Sequence, residues 1–384
     1  MTKVLLGDVV EHIKEKVDKD TTDLDYYVGG EHIDCREIIV QRKGNIQGST
    51  IGPAFHMRFR KGDVLLMSRN PHLCKASMVD FDGICSDVSY VCRTKNNNIL
   101  LQSLVPFIMQ TTEFWQFAEE NKRGGLPFFL NWKDFARFEF NLIPIERQKE
   151  LSNVLWAIER VKVAYRELIT RTDELVKSQF IEMFGDPIIN PKRWPSKGLL
   201  EMGSCKNGMN FKSGDSGVEV YCLGVADFQD RSEIRDMSIL SKISLTQMPR
   251  DEEMLQDGDI VFVRSNGNKM LVGRSVIVFP GDIPTTYSGF CIRYRKSTND
   301  VNTTYLLQML KADSTRQKMT GRGANIQNLN QQILSNIDVP LPSRELQKAF
   351  EDFMKQSDKS KFAAQQTLNE LTNAQKALMK KIFE

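Results

Sequence analysis

The sequence predicts an α+β chain in which two similar globular halves are each followed by a long amphipathic helix, the helices pairing antiparallel as a coiled coil. Three observations carry that prediction. "LIPIERQKEL" (142–151) returns as "VPLPSRELQKAF" (339–350), with Gln148-Lys149 and Gln347-Lys348 lying 199 residues apart. Behind each phrase the chain runs about 40 residues with no interrupting Gly or Pro, at helical spacing. Ahead of each lie short β-rich runs separated by turns rich in Gly, Asn and Asp. A period near 199 is far beyond that of solenoids, so a domain and its trailing helix are repeated.

The elements follow in order. Residues 1–143 form the first globular part, 144–185 the central helix, 186–340 the second globular part and 341–384 the C-terminal helix. In the globular parts "GDVLLMSRN" (62–70) matches "GDIVFVRSN" (258–266) at an offset of 196, and "SDVSYVCR" (86–93) resembles "SGFCIRYR" (288–295) at 202. "KRGGLPFFLN" (122–131) overlies "GRGANIQNLN" (321–330), again at 199, and slipping offsets are what loops allow. Apolar positions Leu151, Leu155, Ile158, Tyr165, Ile169, Val176 and Met183 mark the inner stripe of the central helix, with Lys162, Thr172 and Gln179 as weak steps, and "GDP" at 185–187 ends it. Leu346, Phe350, Phe353, Ala364, Leu371, Leu378 and Ile382 mark the C-terminal helix, with Ser343 as its expected N-cap. Each rod would be on the order of 58 Å long at 1.5 Å per residue.

Composition narrows the function. With 41% hydrophobic and 26% charged residues the chain reads as globular, and no run approaches the roughly 20 apolar residues of a spanning helix. The opening "MTKVLLGDVVEHIKEK" lacks the apolar core of an export signal, and seven cysteines without a C-x-x-C pair read as reduced thiols, so a cytoplasmic protein without membrane partners is expected. All four histidines lie within the first 72 residues, none at metal-ligand spacing, so no metal is expected. No phosphate-binding loop, dinucleotide fingerprint, zinc-protease helix or nucleophile elbow is present, and "SRNPHL" lacks the second proline and aromatic of an amino-methyltransferase loop. No catalytic residue and no cofactor in this chain is expected.

Net charge is only +3, so distribution carries the argument for nucleic acid. The first half places Ser68, Arg69, Asn70 and Lys75 directly after a strand, and the second places Arg264, Ser265, Asn266, Asn268, Lys269 and Arg274 after the matching one. A second loop in each half carries Lys122 and Arg123, then Arg322, Asn325 and Gln327. Arg and Lys suit guanine edges and phosphates, and Asn and Gln suit adenine edges. Any one such loop is ordinary turn chemistry; both types, in the same order in both halves, single them out as DNA-contacting candidates. Tyr26, Tyr27, Tyr221 and "FFLNW" are assigned to core or rim instead.

The ordered, duplicated set "GDVLLMSRN"/"GDIVFVRSN", "GRGANIQNLNQQIL", "IPIERQKEL"/"PLPSRELQKAF" and "LVKSQFIEMFGDP" resembles the specificity (S) subunit of type I restriction–modification systems over essentially the whole chain. That resemblance implies two target recognition domains, each reading half of a bipartite, asymmetric double-stranded DNA site, with the paired helices as a ruler between them. It implies a non-catalytic chain that binds two modification (methyltransferase) subunits, which methylate adenine with S-adenosylmethionine. It also implies a restriction subunit, an ATP-dependent endonuclease needing Mg, that can join the complex. The competing expectations are a coiled-coil scaffold that binds proteins only, and an enzyme lacking familiar motifs.

Overall fold

The fold is given by a computed structural model that describes residues 2–211, 217–229, 231–320 and 328–383. The chain divides into two compact units, Met1–Glu167 with Ala364–Glu384, and Leu168–Ala363. The helices therefore do not stand apart as units of their own: each unit takes a part of the central helix (Ile145–Phe184) and a part of the C-terminal helix (Arg344–Phe383).

In the first unit a four-stranded sheet has the order Val10–Ile13, Ser89–Thr94, Val64–Met67, Ala76–Met78, all neighbours antiparallel. A second sheet orders Gly44–Asn45, Tyr26–Val28, Gly83–Ser86 and Phe55–Phe59. Val64–Met67 is buried along its whole length, which is why it reads as a continuous apolar run, not an alternation. The "GD" preceding it is a turn device. Gly62 sits at φ +92°, where a side chain would be strained, and Asp63 accepts from the Arg60 N–H at 2.8 Å. The same carboxylate receives both arms of the Arg93 guanidinium, at 2.7 and 2.8 Å, from the neighbouring strand.

In the second unit five strands run in the order Gly203–Asn207, Cys291–Lys296, Asp259–Val263, Ser275–Val278, Glu233–Ile234, beside a three-stranded sheet of Ser241–Leu245, Val218–Leu223 and Thr285–Tyr287. Gly258 at φ +87° repeats the turn; Asp259 accepts from the Gln256 N–H at 2.8 Å and from both arms of Arg295 at 2.8 and 2.7 Å. The matched "GD" and "R" of the sequence thus serve one clamp, made in each unit.

The recurring helix phrase is a clamp as well. Buried Gln148 donates to the carbonyls of Ile99 (2.7 Å) and Ile143 (2.8 Å) and accepts from the Leu101 N–H at 2.9 Å. Gln347 donates to Asp300 (3.4 Å) and Pro342 (2.9 Å) and accepts from the Asn302 N–H at 2.7 Å. One side chain therefore ties the first helical turn to the strand end before it and to a helix start some 45 residues upstream, satisfying backbone groups that burial would otherwise orphan.

The helix interiors differ from the expected stripes. In the first unit Leu151 and Leu155 share a core with Met379 and Phe383, and Lys162 is fully inside: it donates to Glu159 at 2.8 Å and to Gln375 at 2.7 Å. Gln375 donates back to Glu159 at 3.2 Å, closing a buried polar layer where the apolar pattern was weak. In the second unit the expected Val176 is buried, Met183 is only half-buried, and Phe180 and Phe184 are buried instead, each with its ring 5.5 Å from that of Phe350. On the C-terminal helix Met354, Met379 and Phe383 are buried, one position beyond the expected Phe353, Leu378 and Ile382, which are only half-buried. The stripe is displaced because each helix packs on its unit's β-rich core as well as on the other helix, and a 3.5-residue pattern tracks only the second contact.

Candidate nucleic-acid interface

In the first unit the two loops singled out by sequence meet. Strand Val64–Met67 leads into Ser68, whose carbonyl accepts from the Leu130 N–H at 2.8 Å; the Asn70 N–H donates to Phe128 at 2.8 Å. Arg123 and Phe129 exchange backbone hydrogen bonds at 2.9 and 3.1 Å, so the second loop is a hairpin lying against the first. Asn70 takes a left-handed conformation (φ 52°), which Asn tolerates better than most residues, and its Oδ1 is buried without a partner.

In the second unit the corresponding bond recurs: the Leu329 N–H donates to the Arg264 carbonyl at 2.7 Å, and Ser265 pairs with Asn328 as an isolated bridge. Leu130 and Leu329 stand at the offset of 199 and Ser68 and Arg264 at 196, the two offsets read independently in the sequence. Arg322, Asn325 and Gln327 lie outside the described residues, as does the side chain of Lys269.

The candidates divide by what their side chains already do. Arg69 is exposed and has no side-chain partner among the described residues. Ser68 is buried and its hydroxyl donates to Val88 at 2.6 Å, which turns it away from solvent. Half-buried Lys75 donates to the Gly30 carbonyl at 2.6 Å. Lys122 pairs with Glu119 at 2.7 Å and lies 4.4 Å over the Phe128 ring, and Arg123 pairs with buried Asp134 at 2.6 Å. In the second unit Arg264 donates through Nη1 to the Gly289 carbonyl at 3.1 Å, leaving donors for a ligand. Asn266 and Asn268 accept from backbone N–H groups two residues on, at 2.8 and 3.0 Å, which shapes the loop, and Arg274 donates to the Gln229 carbonyl at 2.9 Å.

Residues outside the cationic pattern also reach this surface. Leu126 is 85% exposed and Phe129 40% in the first unit; Phe290 is 61% exposed in the second. Leu126 and Phe290 stand beside Gly or Pro in a turn, and Phe129 follows Pro127 by two residues. Within "FFLNW" Phe129 lies at the rim and Leu130 in the core.

Nothing among the described residues resembles an activated nucleophile or a metal cage. No group of three or more His, Cys, Asp or Glu is placed to hold a metal ion. All seven cysteines are unpaired; burial pushes the thiols of Cys85, Cys205 and Cys222 up to about 12 and that of Cys92 well above its ordinary range. Burial, with Lys14 adding to it, pulls His12 down to about 4. No helix among the described residues is long and apolar enough to cross a membrane.

Each α+β unit thus carries a polar loop beyond the end of a buried strand, residues 68–70 in the first and 264–268 in the second, bonded to a later leucine, Leu130 or Leu329. Residues 205–373 match the type I restriction modification DNA specificity domain. Over 152 residues the chain is 29% identical to the type I restriction enzyme StySPI specificity subunit of Salmonella potsdam, a match covering 38% of this chain and 31% of that relative. The solved S subunit of a type I restriction-modification system from M. genitalium superimposes with a TM-score of 0.56 at 14% identity, covering 100% of this chain and 96% of that one. A chain from a study of complex assembly and conformational transition of the type I R-M system also gives 0.56, at 20% identity, covering 99% and 97%. Residues 205–373 are thus similar to the type I restriction modification DNA specificity domain, and the fold over the whole chain is similar to that of solved type I S subunits.

Proposed function

We propose that this chain is the sequence-reading subunit of a type I restriction–modification complex, that its halves are duplicated target recognition domains, and that each reads one half of a bipartite, asymmetric double-stranded DNA site. The observation that carries this reading is the shared bond between the two polar loops, Leu130 to Ser68 and Leu329 to Arg264, with different side chains mounted on it. A common frame with unlike contact residues is what two unlike half-sites require, whereas a symmetric homodimer would favour a palindrome. Arg69 with Asn70, and Arg264 with Asn266 and Asn268, supply the base-reading donors. Lys75, Lys122, Arg123, Arg274, Arg322 and Lys269 supply phosphate contacts, and Asn325 and Gln327 complete the second head.

The chain itself catalyses no step in this reading. Two modification subunits bring S-adenosylmethionine and methylate adenine, and a restriction subunit brings ATP and Mg for cleavage, in the cytoplasm. A docking surface for helical partners is supported by apolar residues that the central helix leaves exposed at heptad spacing: Val154 and Val161 in the first unit, Leu168 and Leu175 in the second. A net charge of +3 suits a reader whose partners share the phosphate contacts.

The test is binding-site selection from a random duplex library by the chain assembled with its modification partner. A split motif with a fixed spacer is expected. Enrichment no different from that of the modification partner alone would leave the scaffold reading in its place.

A further inference from the structure

We infer that Phe290 is a specificity-determining residue of the second head, its ring packing against the 5-methyl group of a thymine in the major groove. The inference rests on the DNA-reading proposal and adds to it a base that the cationic and amide residues do not recognise.

Phe290 is the counterpart of Val88 at the offset of 202. The backbone role is the same in both units: the Ser68 N–H donates to the Val88 carbonyl at 3.0 Å, and the Arg264 N–H to the Phe290 carbonyl at 2.7 Å. The side chains part company. Val88 packs against the core of its unit, whereas Phe290 leaves 61% of itself in solvent. The fold accordingly does not require an outward apolar group at this position.

The backbone that carries the ring is also pinned. The Phe290 carbonyl takes a second bond from the Ser265 N–H at 3.2 Å, and its own N–H donates to the Ser288 hydroxyl at 3.2 Å. The preceding residue, Gly289, receives the Arg264 guanidinium on its carbonyl, and a Cβ there would lie 2.1 Å from Asn210 Oδ1. A scattered surface phenylalanine needs no explanation. One fixed on a backbone pinned from several sides, next to an arginine with donors to spare, is a pre-organised contact. Its occupant is duplex DNA, because the loop bonded to it carries Arg264, Asn266 and Asn268 and because apolar contact with the thymine methyl is the one major-groove feature such a ring reads.

The experiment uses the full chain assembled with its modification partner and the motif obtained by selection. Each thymine of the half-site read by the second head is replaced by uracil, which removes only the methyl group. The unsubstituted complex is expected to lose about fourfold in affinity at one position, the worth of one buried methyl group. Phe290→Ala should abolish that response while leaving the other half-site unchanged, and Phe290→Leu should retain part of it. An equal response in the unsubstituted and Phe290→Ala complexes would overturn the inference, as would a half-site with no A·T pair, or weakening by Phe290→Ala that is indifferent to uracil. In each of those cases relaxation by Arg264→Ala would keep the DNA-reading proposal standing; absence of any motif-specific binding would remove both.

Discussion

The loops of the two units share a frame and differ in what the frame displays. Leu130 binds Ser68 as Leu329 binds Arg264, and the Asp63–Arg93 clamp reappears as Asp259–Arg295. Against that constancy stand Ser68, turned inward onto Val88, and Arg264 at the same place, reaching to Gly289; and Val88 packed inward where Phe290 faces outward. The backbone positions the contact surface, and a few side chains on it are free to change without disturbing the sheet. Recognition can therefore diverge between the two halves while the fold does not.

The sharpest way to break the comparison is at the shared clamp. Asp63→Ala strands Arg93, whose side chain is 35% exposed, and should cost about 1–3 kcal/mol of unfolding free energy in denaturant titration, whereas Asp259→Ala also strands buried Arg293 and should cost about 3–5 kcal/mol. The second should be the larger, because Arg293 lies 3.8 Å from Asp259 with two of its buried nitrogens lacking hydrogen-bond partners, whereas Val91 occupies the matching place in the first unit. Equal costs would show that the Arg293 charge is compensated elsewhere.

A smaller effect, confined to DNA, is expected from the loop arginines. Arg264→Ala should relax one half-site by about 1–3 kcal/mol and Arg69→Ala the other, each leaving its opposite half intact in competition binding. Uniform weakening over all sequences would reassign the residue to a phosphate contact.

The pH dependence should separate the units by window, alkaline in the second unit and acid in the first, with stability rising with pH in both. Burial, with Lys361 adding to it, pulls Lys311 down from 10.5 to about 8 in the folded second unit. Between pH 8 and 10.5 the unfolded chain then binds more protons at this residue than the folded one, so its contribution to stability rises with pH across that window. Lys311→Met should flatten the rise. In the first unit His12, held at about 4 against 6.5, makes the folded state lose stability as pH falls from 6.5 to 4, and His12→Asn should remove that loss. Slopes unchanged in the variants would place the titrating groups elsewhere.

Much of this was legible in the sequence because a repeat keeps positions, and positions keep bonds. The 196 and 202 offsets align both ends of the Asp–Arg clamp, and the 199 offset aligns Gln148 with Gln347. What the residues at those positions do was not legible. "GD" turned out to be a left-handed turn with an anchoring carboxylate, and Ser68 to be a buried donor, because both depend on a neighbouring strand that sequence spacing does not identify. Lys162 read as a weak step in an apolar stripe because its partners include Gln375, more than 200 residues away. Phe290 escaped notice since exposure, not residue type, is what distinguishes it from the core phenylalanines.

The most direct test of the central claim is a genome-wide map of adenine methylation in the source cell with this gene intact, deleted, and restored as the Arg264→Ala variant, the modification partner being present and active throughout. A split motif that disappears on deletion, and returns with one relaxed half in the variant, is the expected result. Methylation that does not change in any of the three strains would contradict a DNA-reading role and leave two modules on a helical stalk that bind proteins alone.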